Sequence, residues 1–248
     1  SSAASDVYKR QLLHPGDLVN LGAGIPSHAA NYIGVDSGMM IQTECGTIGG
    51  GPLAAAGEED YTLIAPDTRP STLLYDGACF DSALSFTMIR GGHLDVTVLG
   101  AMEVAQNGDM ANWEVPGQAL KGMGGAMDLC AGARRVIVAM EHCTKTGAPK
   151  LVERCALPLT CQGEVDTVVT ELAVIDVTEE GFVLRALAPH ATLEEVQAKT
   201  AAPLRIGAGI RLLPELLPAR PVGDLPIPLP PARRFRAFRR KYGIKSVR

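Results

Sequence analysis

Asp81-Ser-Ala-Leu-Ser-Phe-Thr-Met-Ile-Arg-Gly-Gly-His-Leu-Asp-Val-Thr-Val-Leu99 sets a helix beside a strand. Asp81 carries a carboxylate suited to the unpaired amides of a first helical turn, and the segment toward Arg90 contains no helix breaker. Gly91-Gly92 stops that helix, and the β-branched run Asp95 to Leu99 reads as a buried strand. Upstream, Leu18 to Leu21 predicts a strand, followed by Gly22-Ala-Gly24-Ile-Pro26 and a helix through His28 to Ile33. Pro26 suits a first helical turn, where its missing amide proton has no partner to lose. Met39 to Gln42 predicts a second strand that stops at Thr43-Glu44-Cys45-Gly46. The rhythm is strand, helix, strand, so the expected class is α/β: an open, mixed, mostly parallel sheet with flanking helices.

Downstream, Asn107-Gly108 predicts a hairpin turn, since both residue types tolerate positive φ. Arg135 to Met140, Thr167 to Val169 and Leu172 to Val177 predict further strands, and Glu179-Glu180-Gly181 turns into Phe182 to Leu187. Thr192-Leu-Glu-Glu195 has the spacing of a capping box and opens a helix over Leu193 to Thr200. No period repeats along the chain.

With 248 residues and 46% apolar content the chain can bury a full core, and no run reaches the 18 or so apolar residues of a membrane helix. A soluble cytoplasmic domain over 12–213 is expected, preceded by a poorly patterned extension over 1–11. Residues 214–248 form a proline-rich and then basic tail, expected to be disordered. The net charge is -4 although that tail gathers many arginines, so neither nucleic acid nor a membrane is expected as partner. The six cysteines form no CxxC pair, and five are expected to be ordinary buried thiols. HExxH, EF-hand, P-loop and GxSxG patterns are missing, and no metal is expected.

The chemistry concentrates in Ile41-Gln-Thr-Glu44-Cys-Gly46-Thr-Ile-Gly-Gly-Gly51-Pro52, an acid at a strand end followed by a glycine-rich loop. A carboxylate there serves as base, metal ligand or nucleophile, and taken alone it is more often a solvated turn residue. Lys121-Gly-Met-Gly124-Gly125-Ala-Met-Asp128 places consecutive glycine amides before a helix, an arrangement suited to an oxyanion or simply to a tight turn. Gly22-Ala-Gly24 lacks the third glycine of a dinucleotide fingerprint. Glu141-His142-Cys143 reads as structural, while Lys145 and Lys150 flank a turn where two cations could meet an anion or only solvent.

Taken together these segments resemble the B subunit of the family I CoA transferases, a class that includes succinyl-CoA:3-oxoacid and 3-oxoadipate transferases. The resemblance runs from Leu12 to Leu204 through Val19-Asn-Leu-Gly22-Ala-Gly24-Ile-Pro26, the Glu44 segment, Gly57-Glu-Glu-Asp60, Phe86-Thr-Met-Ile-Arg90-Gly-Gly-His93-Leu-Asp95, Gly108-Asp-Met-Ala-Asn112-Trp113, Gly122-Met-Gly-Gly-Ala-Met-Asp128, Glu141-His142 and Thr170-Glu171-Leu-Ala-Val. It implies a CoA-transferase (NagB-like) fold and CoA exchange through a glutamyl-CoA thioester. Glu44 would be the nucleophile, Gly124 or Gly125 the oxyanion donor, and Glu171 a further active-site carboxylate. Asn20, Gly22, Gly24, Gly46, Lys121, Lys145 and Lys150 would contact the acid or CoA.

The same resemblance implies no permanently bound cofactor, acyl-CoA and a carboxylic acid as small-molecule substrates, and an A (alpha) subunit as partner in a heterodimer or heterotetramer. Thr43, Cys45 and Thr47 depart from the family's usual serine, asparagine and leucine or isoleucine. Met102-Glu-Val and the stretch from Asn112-Trp113 to Lys121-Gly122 favour the 3-oxoacid branch. A 3-oxoadipate or an acetate/butyrate transferase, or a non-catalytic CoA-binding homologue, are the alternatives.

Overall fold

Three strands made almost wholly of apolar residues form the middle of the protein: β1 (Leu18–Leu21), β5 (Val96–Leu99) and β8 (Val136–Ala139), each buried along its length. Continuous burial of this kind belongs to parallel strands covered on both faces. The computed structural model describes residues 12–33, 37–54, 57–65, 69–118 and 122–212; the N-terminal extension, the tail from Pro214 and Lys121 lie outside them.

The other strands are β2 (Met40–Thr43), β3 (Thr47–Leu53), β4 (Ser71–Cys79), β6 (Glu103–Ala105), β7 (Met110–Ala111), β9 (Leu151–Val152), β10 (Thr167–Val169), β11 (Ala173–Thr178), β12 (Gly181–Leu187) and β13 (Leu204–Leu212). A ten-stranded sheet runs β13-β12-β11-β10-β8-β5-β1-β2-β3-β4, and β7-β6-β9 form a small second sheet. The stretch β10-β8-β5-β1-β2 is parallel throughout, whereas β10/β11, β11/β12, β2/β3 and β3/β4 are antiparallel. The sheet is mixed and mostly parallel, as expected.

Side chains alternate across the sheet. Val19, Leu21, Val96, Val98, Ile137 and Ala139 face one core, which includes Ala29 from the 3-10 helix Ile25–Tyr32. Leu18, Leu99, Val136 and Val138 face the other core. Helices α1 (Ser82–Arg90), α2 (Ala126–Gly132) and α3 (Leu193–Ala198) supply Ile89, Leu129 and Val196 to that second core. Each fully buried aliphatic side chain contributes about 2 kcal/mol. Asp81 caps α1 by accepting from Leu84 N at 2.8 Å, an interaction worth about 1 kcal/mol.

Several expectations need correction. The glycine run after Glu44 is the strand β3 rather than a loop, and β4 and β13 were not foreseen. The helix after Pro26 is of the tighter 3-10 kind. Thr192 does cap Glu195 N at 3.1 Å, but Glu195 pairs with Lys199 at 2.7 Å, the alternative partner one turn on. All six cysteines are free, yet only Cys130 is buried, and Cys45 and Cys79 are exposed. His142 is fully buried and bridges Thr170 Oγ1 and Thr200 Oγ1, each at 3.0 Å, in agreement with a structural role. Among the described residues no helix is long and apolar enough to cross a membrane.

Candidate active site

The chain leaves β1 for β2 on one side and later returns to place β5 on the other. Strand order reverses there, and in open α/β sheets a ligand crevice opens outside the carboxyl ends of the strands at such a point. Gly22 and Gly24 follow β1 and Glu44 follows β2 directly. Sequence motifs far apart in the chain are therefore gathered by parallel pairing alone.

Glu44 is half-buried, and Asn20 Nδ2 donates to its Oε2 at 3.2 Å. Asn20 is itself fully buried on β1. Gly125, the buried residue preceding α2, lies beside Glu44: a Cβ there would lie 3.5 Å from Glu44 Cγ and 3.0 Å from Phe86 Cζ. Glycine at this position leaves room beside the carboxylate. Gly124 is exposed with φ +52, and a Cβ there would meet nothing within 4 Å. Gly22 is tucked against Val98, to whose carbonyl its N–H donates at 2.8 Å, and Gly24 accepts from the Ser27 hydroxyl at 2.8 Å.

The turn that carries Glu44 is tightly specified. Gly46 has φ +113, and a Cβ there would come within 1.9 Å of Phe80 O, an impossible approach for any other residue. Thr43 and Thr47, two departures from the family pattern, share a hydrogen bond between their hydroxyls at 2.7 Å across this turn. The third departure, Cys45, is exposed. Even on this exposed residue some desolvation, and then the neighbouring Glu44, push the thiol above its ordinary range, so it stays protonated beside the carboxylate.

Glu171 and Lys150 occupy a different part of the same edge. Glu171 Oε2 accepts from His142 N at 2.9 Å. Lys150 is partly buried, which lowers its pKa, while Glu141 and Glu171 pull it the other way. Glu171 follows β10 and Glu44 follows β2, four strand spacings away, or roughly 19 Å. Lys145 is exposed on the turn closed by Thr144 N to Ala148 O at 2.8 Å. The structure thus brings Asn20, Glu44, Gly46 and Gly125 together and leaves Glu171, Lys145 and Lys150 as a second group.

Residues 5–199 match the family model described as Coenzyme A transferase. The chain belongs to the coenzyme A transferase family. It is 47% identical over 192 residues to the beta subunit of an acetate CoA-transferase of Haemophilus influenzae, covering 77% of this chain and 85% of the relative. It is 45% identical over 196 residues to the B subunit of a succinyl-CoA:3-ketoacid coenzyme A transferase of Helicobacter pylori, covering 78% and 93%. The apoenzyme of the acyl-CoA transferase YdiF from Escherichia coli O157:H7 superposes with a TM-score of 0.71 at 19% identity, over 90% of this chain and 45% of that one. The family model and the two relatives show a CoA-transferase with CoA as substrate, and the solved structure shows the fold.

Sequence reading missed Gln42, Ser85, Phe86 and Thr97 at this site. A signal for one of them was present: Thr97, like Asn20, is the single polar residue of an otherwise apolar strand.

Proposed function

We propose that this chain is the catalytic subunit of a two-subunit transferase that exchanges CoA between an acyl-CoA, such as succinyl-CoA or acetyl-CoA, and a 3-oxoacid such as acetoacetate. The observation that carries the reading is a half-buried carboxylate held by one neutral amide, with a glycine in place of any side chain beside it. A neutral donor orients Glu44 without the strong stabilisation that a cation would give, and so preserves its nucleophilicity.

In the first step Glu44 attacks the thioester carbonyl of the donor and CoA leaves as a thiolate, forming a mixed anhydride. The thiolate then attacks the glutamyl carbonyl of that anhydride and the donor acid departs as its carboxylate. Glu44 is left as a glutamyl-CoA thioester. The acceptor carboxylate repeats the sequence in reverse and restores Glu44. Amides of Gly124 or Gly125 would stabilise the tetrahedral oxyanions. Asn20, Gly22, Gly24 and Gly46 would shape the acyl end. Lys145, Lys150 and Lys121 would meet the phosphates of CoA, whose length suits the roughly 14 Å between the β2 and β8 ends.

Relatives that are themselves beta or B chains of such enzymes support an A subunit as partner, in a heterodimer or heterotetramer. The acetate enzyme among them favours a second reading, acetate as the acid. Co-expression with the partner, followed by an assay over acetate, butyrate, acetoacetate and 3-oxoadipate, separates the readings: acetoacetate should give the highest kcat/KM. Glu44→Ala should lower exchange by at least about 10⁴-fold while the complex stays folded. Exchange at the wild-type rate in that variant would overturn the assignment.

A further inference from the structure

Beneath Glu44 lies a row of polar side chains of which catalysis as described uses only Asn20. Asn20 is paired in register with Gln42 on β2 and with Thr97 on β5, so three adjacent parallel strands each place one polar residue at the same level. All three are fully buried, as is Ser85 on α1, which reaches the row from the helix above. Burying four uncharged polar side chains in an apolar face adds little net stability even when every bond is made, since water satisfied them before folding. Apolar residues of similar size would serve the core as well.

The hydrogen bonds run in one direction. Gln42 Nε2 donates to Ser85 Oγ and to Thr43 O, both at 2.8 Å. With its nitrogen so occupied, Gln42 turns Oε1 toward β1, where it accepts from Asn20 Nδ2 at 3.0 Å. Thr97 Oγ1 donates to Asn20 Oδ1 at 3.4 Å and holds the other end of that amide. A flipped Asn20 would set its oxygen against Gln42 Oε1 and Glu44 Oε2, and a flipped Gln42 would set two NH2 groups face to face. Each amide therefore has one permitted orientation, and in it Asn20 presents an N–H to Glu44 Oε2.

We propose that Gln42 and Ser85 are positioning residues, locking the Asn20 amide so that it delivers an N–H to Glu44 throughout the glutamyl exchange. The inference rests on Glu44 being the acylated residue. When Glu44 becomes a thioester, its carbonyl oxygen can accept from the same N–H, so a fixed amide serves the free carboxylate and the acylated state without rearrangement. Gln42 and Ser85 are fully buried; both also hydrogen-bond to Thr43 O, and the part of their effect that runs through Asn20 is what the proposal concerns.

A double-mutant cycle on the assembled two-subunit enzyme tests this, reading the rate at which acyl-CoA loads Glu44 in the absence of acceptor. Gln42→Met, which keeps the volume and removes the amide, should slow loading by about tenfold or more with KM for acyl-CoA within about threefold of wild type. Ser85→Ala, a smaller change in case Gln42→Met fails to fold, should slow it by about threefold. In an Asn20→Ala background both substitutions should change the rate by less than about twofold, because the amide they orient is gone. Loading at the wild-type rate in folded Gln42→Met and Ser85→Ala enzymes would overturn the proposal. The same loss with and without Asn20 would also overturn it, pointing to a packing role instead. A wild-type complex that transfers CoA without ever acylating Glu44 would remove the nucleophile assignment itself, a distinct result.

Discussion

Two carboxylates stand at the carboxyl edge of the same parallel sheet, Glu44 after β2 and Glu171 after β10, and their surroundings differ. Glu44 meets a neutral amide from a buried neighbour and faces a glycine. Glu171 closes a loop by accepting a backbone N–H from His142 and shares its corner with Lys150 and Glu141. The Glu44 corner leaves the space beside its Cγ free of a side chain, whereas Glu171 uses an oxygen to hold the loop that follows β8.

The largest effect that tests this contrast concerns the Glu44 turn. Gly46→Ala should destabilise the protein by more than about 3 kcal/mol, because a positive φ and a contact with backbone cannot both relax. Thermal unfolding measures it. Gly24→Ala, with φ +77 and ψ -132 but open space around a Cβ, should lose about 2 kcal/mol. Equal melting temperatures for the two variants would mean that the Glu44 turn is no more constrained than its neighbour.

The second effect belongs to the Glu171 corner. Burial holds the His142 imidazole neutral and lowers its pKa to about 4. Unfolded, the same side chain takes up a proton near pH 6.5. Between those values the unfolded chain binds the additional proton, so stability falls as pH drops through the window. The loss from pH 7 to pH 4 should be on the order of 3 kcal/mol from this group. Urea unfolding at a series of pH values, with His142→Gln as reference, checks it: the variant should show a flatter profile by that amount. Identical slopes would contradict a neutral, buried His142.

Much of this fold was legible beforehand. The segments from Leu18 to Leu21 and Asp95 to Leu99, with the capped helix before the second, follow from β-branched runs and from an Asp–Gly frame that local chemistry dictates. The strand β3 was not, because Thr47-Ile-Gly-Gly-Gly is poor in side chains that favour strands and is held by pairing with β2 and β4. β13 escaped for a related reason: it is a half-exposed edge strand containing two glycines. At the site, Glu44 and the Gly124-Gly125 pair could be picked out as local motifs. Thr97 stands out only as one polar residue in an apolar strand, and Gln42 and Ser85 look ordinary in their own segments; all three gain meaning from register across three strands and a helix.

A third, smaller effect probes the space beside Glu44. Gly125→Ala should lower kcat by about tenfold, equivalent to about 1.4 kcal/mol, since its methyl group would press on the Phe86 ring and fill the space against Glu44 Cγ. Backbone strain is not involved, as Gly125 has an ordinary negative φ of -89, and the melting temperature should stay within a few degrees. Full activity in this variant would show that the gap is not used. The smallest effect is expected at the other corner: Lys150→Met should raise KM for acyl-CoA by about threefold with kcat unchanged, as for a cation at the periphery of a ligand. A fall in kcat instead would move Lys150 and Glu171 closer to the reaction.

The most direct test of Glu44 as nucleophile is to mix the assembled enzyme with acyl-CoA, leave out the acceptor acid, reduce with borohydride, and locate the modified residue by peptide mass spectrometry. Borohydride converts a glutamyl thioester to the corresponding alcohol, a mass change confined to one peptide. Modification of Glu44, lost in Glu44→Ala and prevented by excess acceptor, is the expected result. Turnover with Glu44 unmodified, or an acyl group found on Cys45, would contradict it.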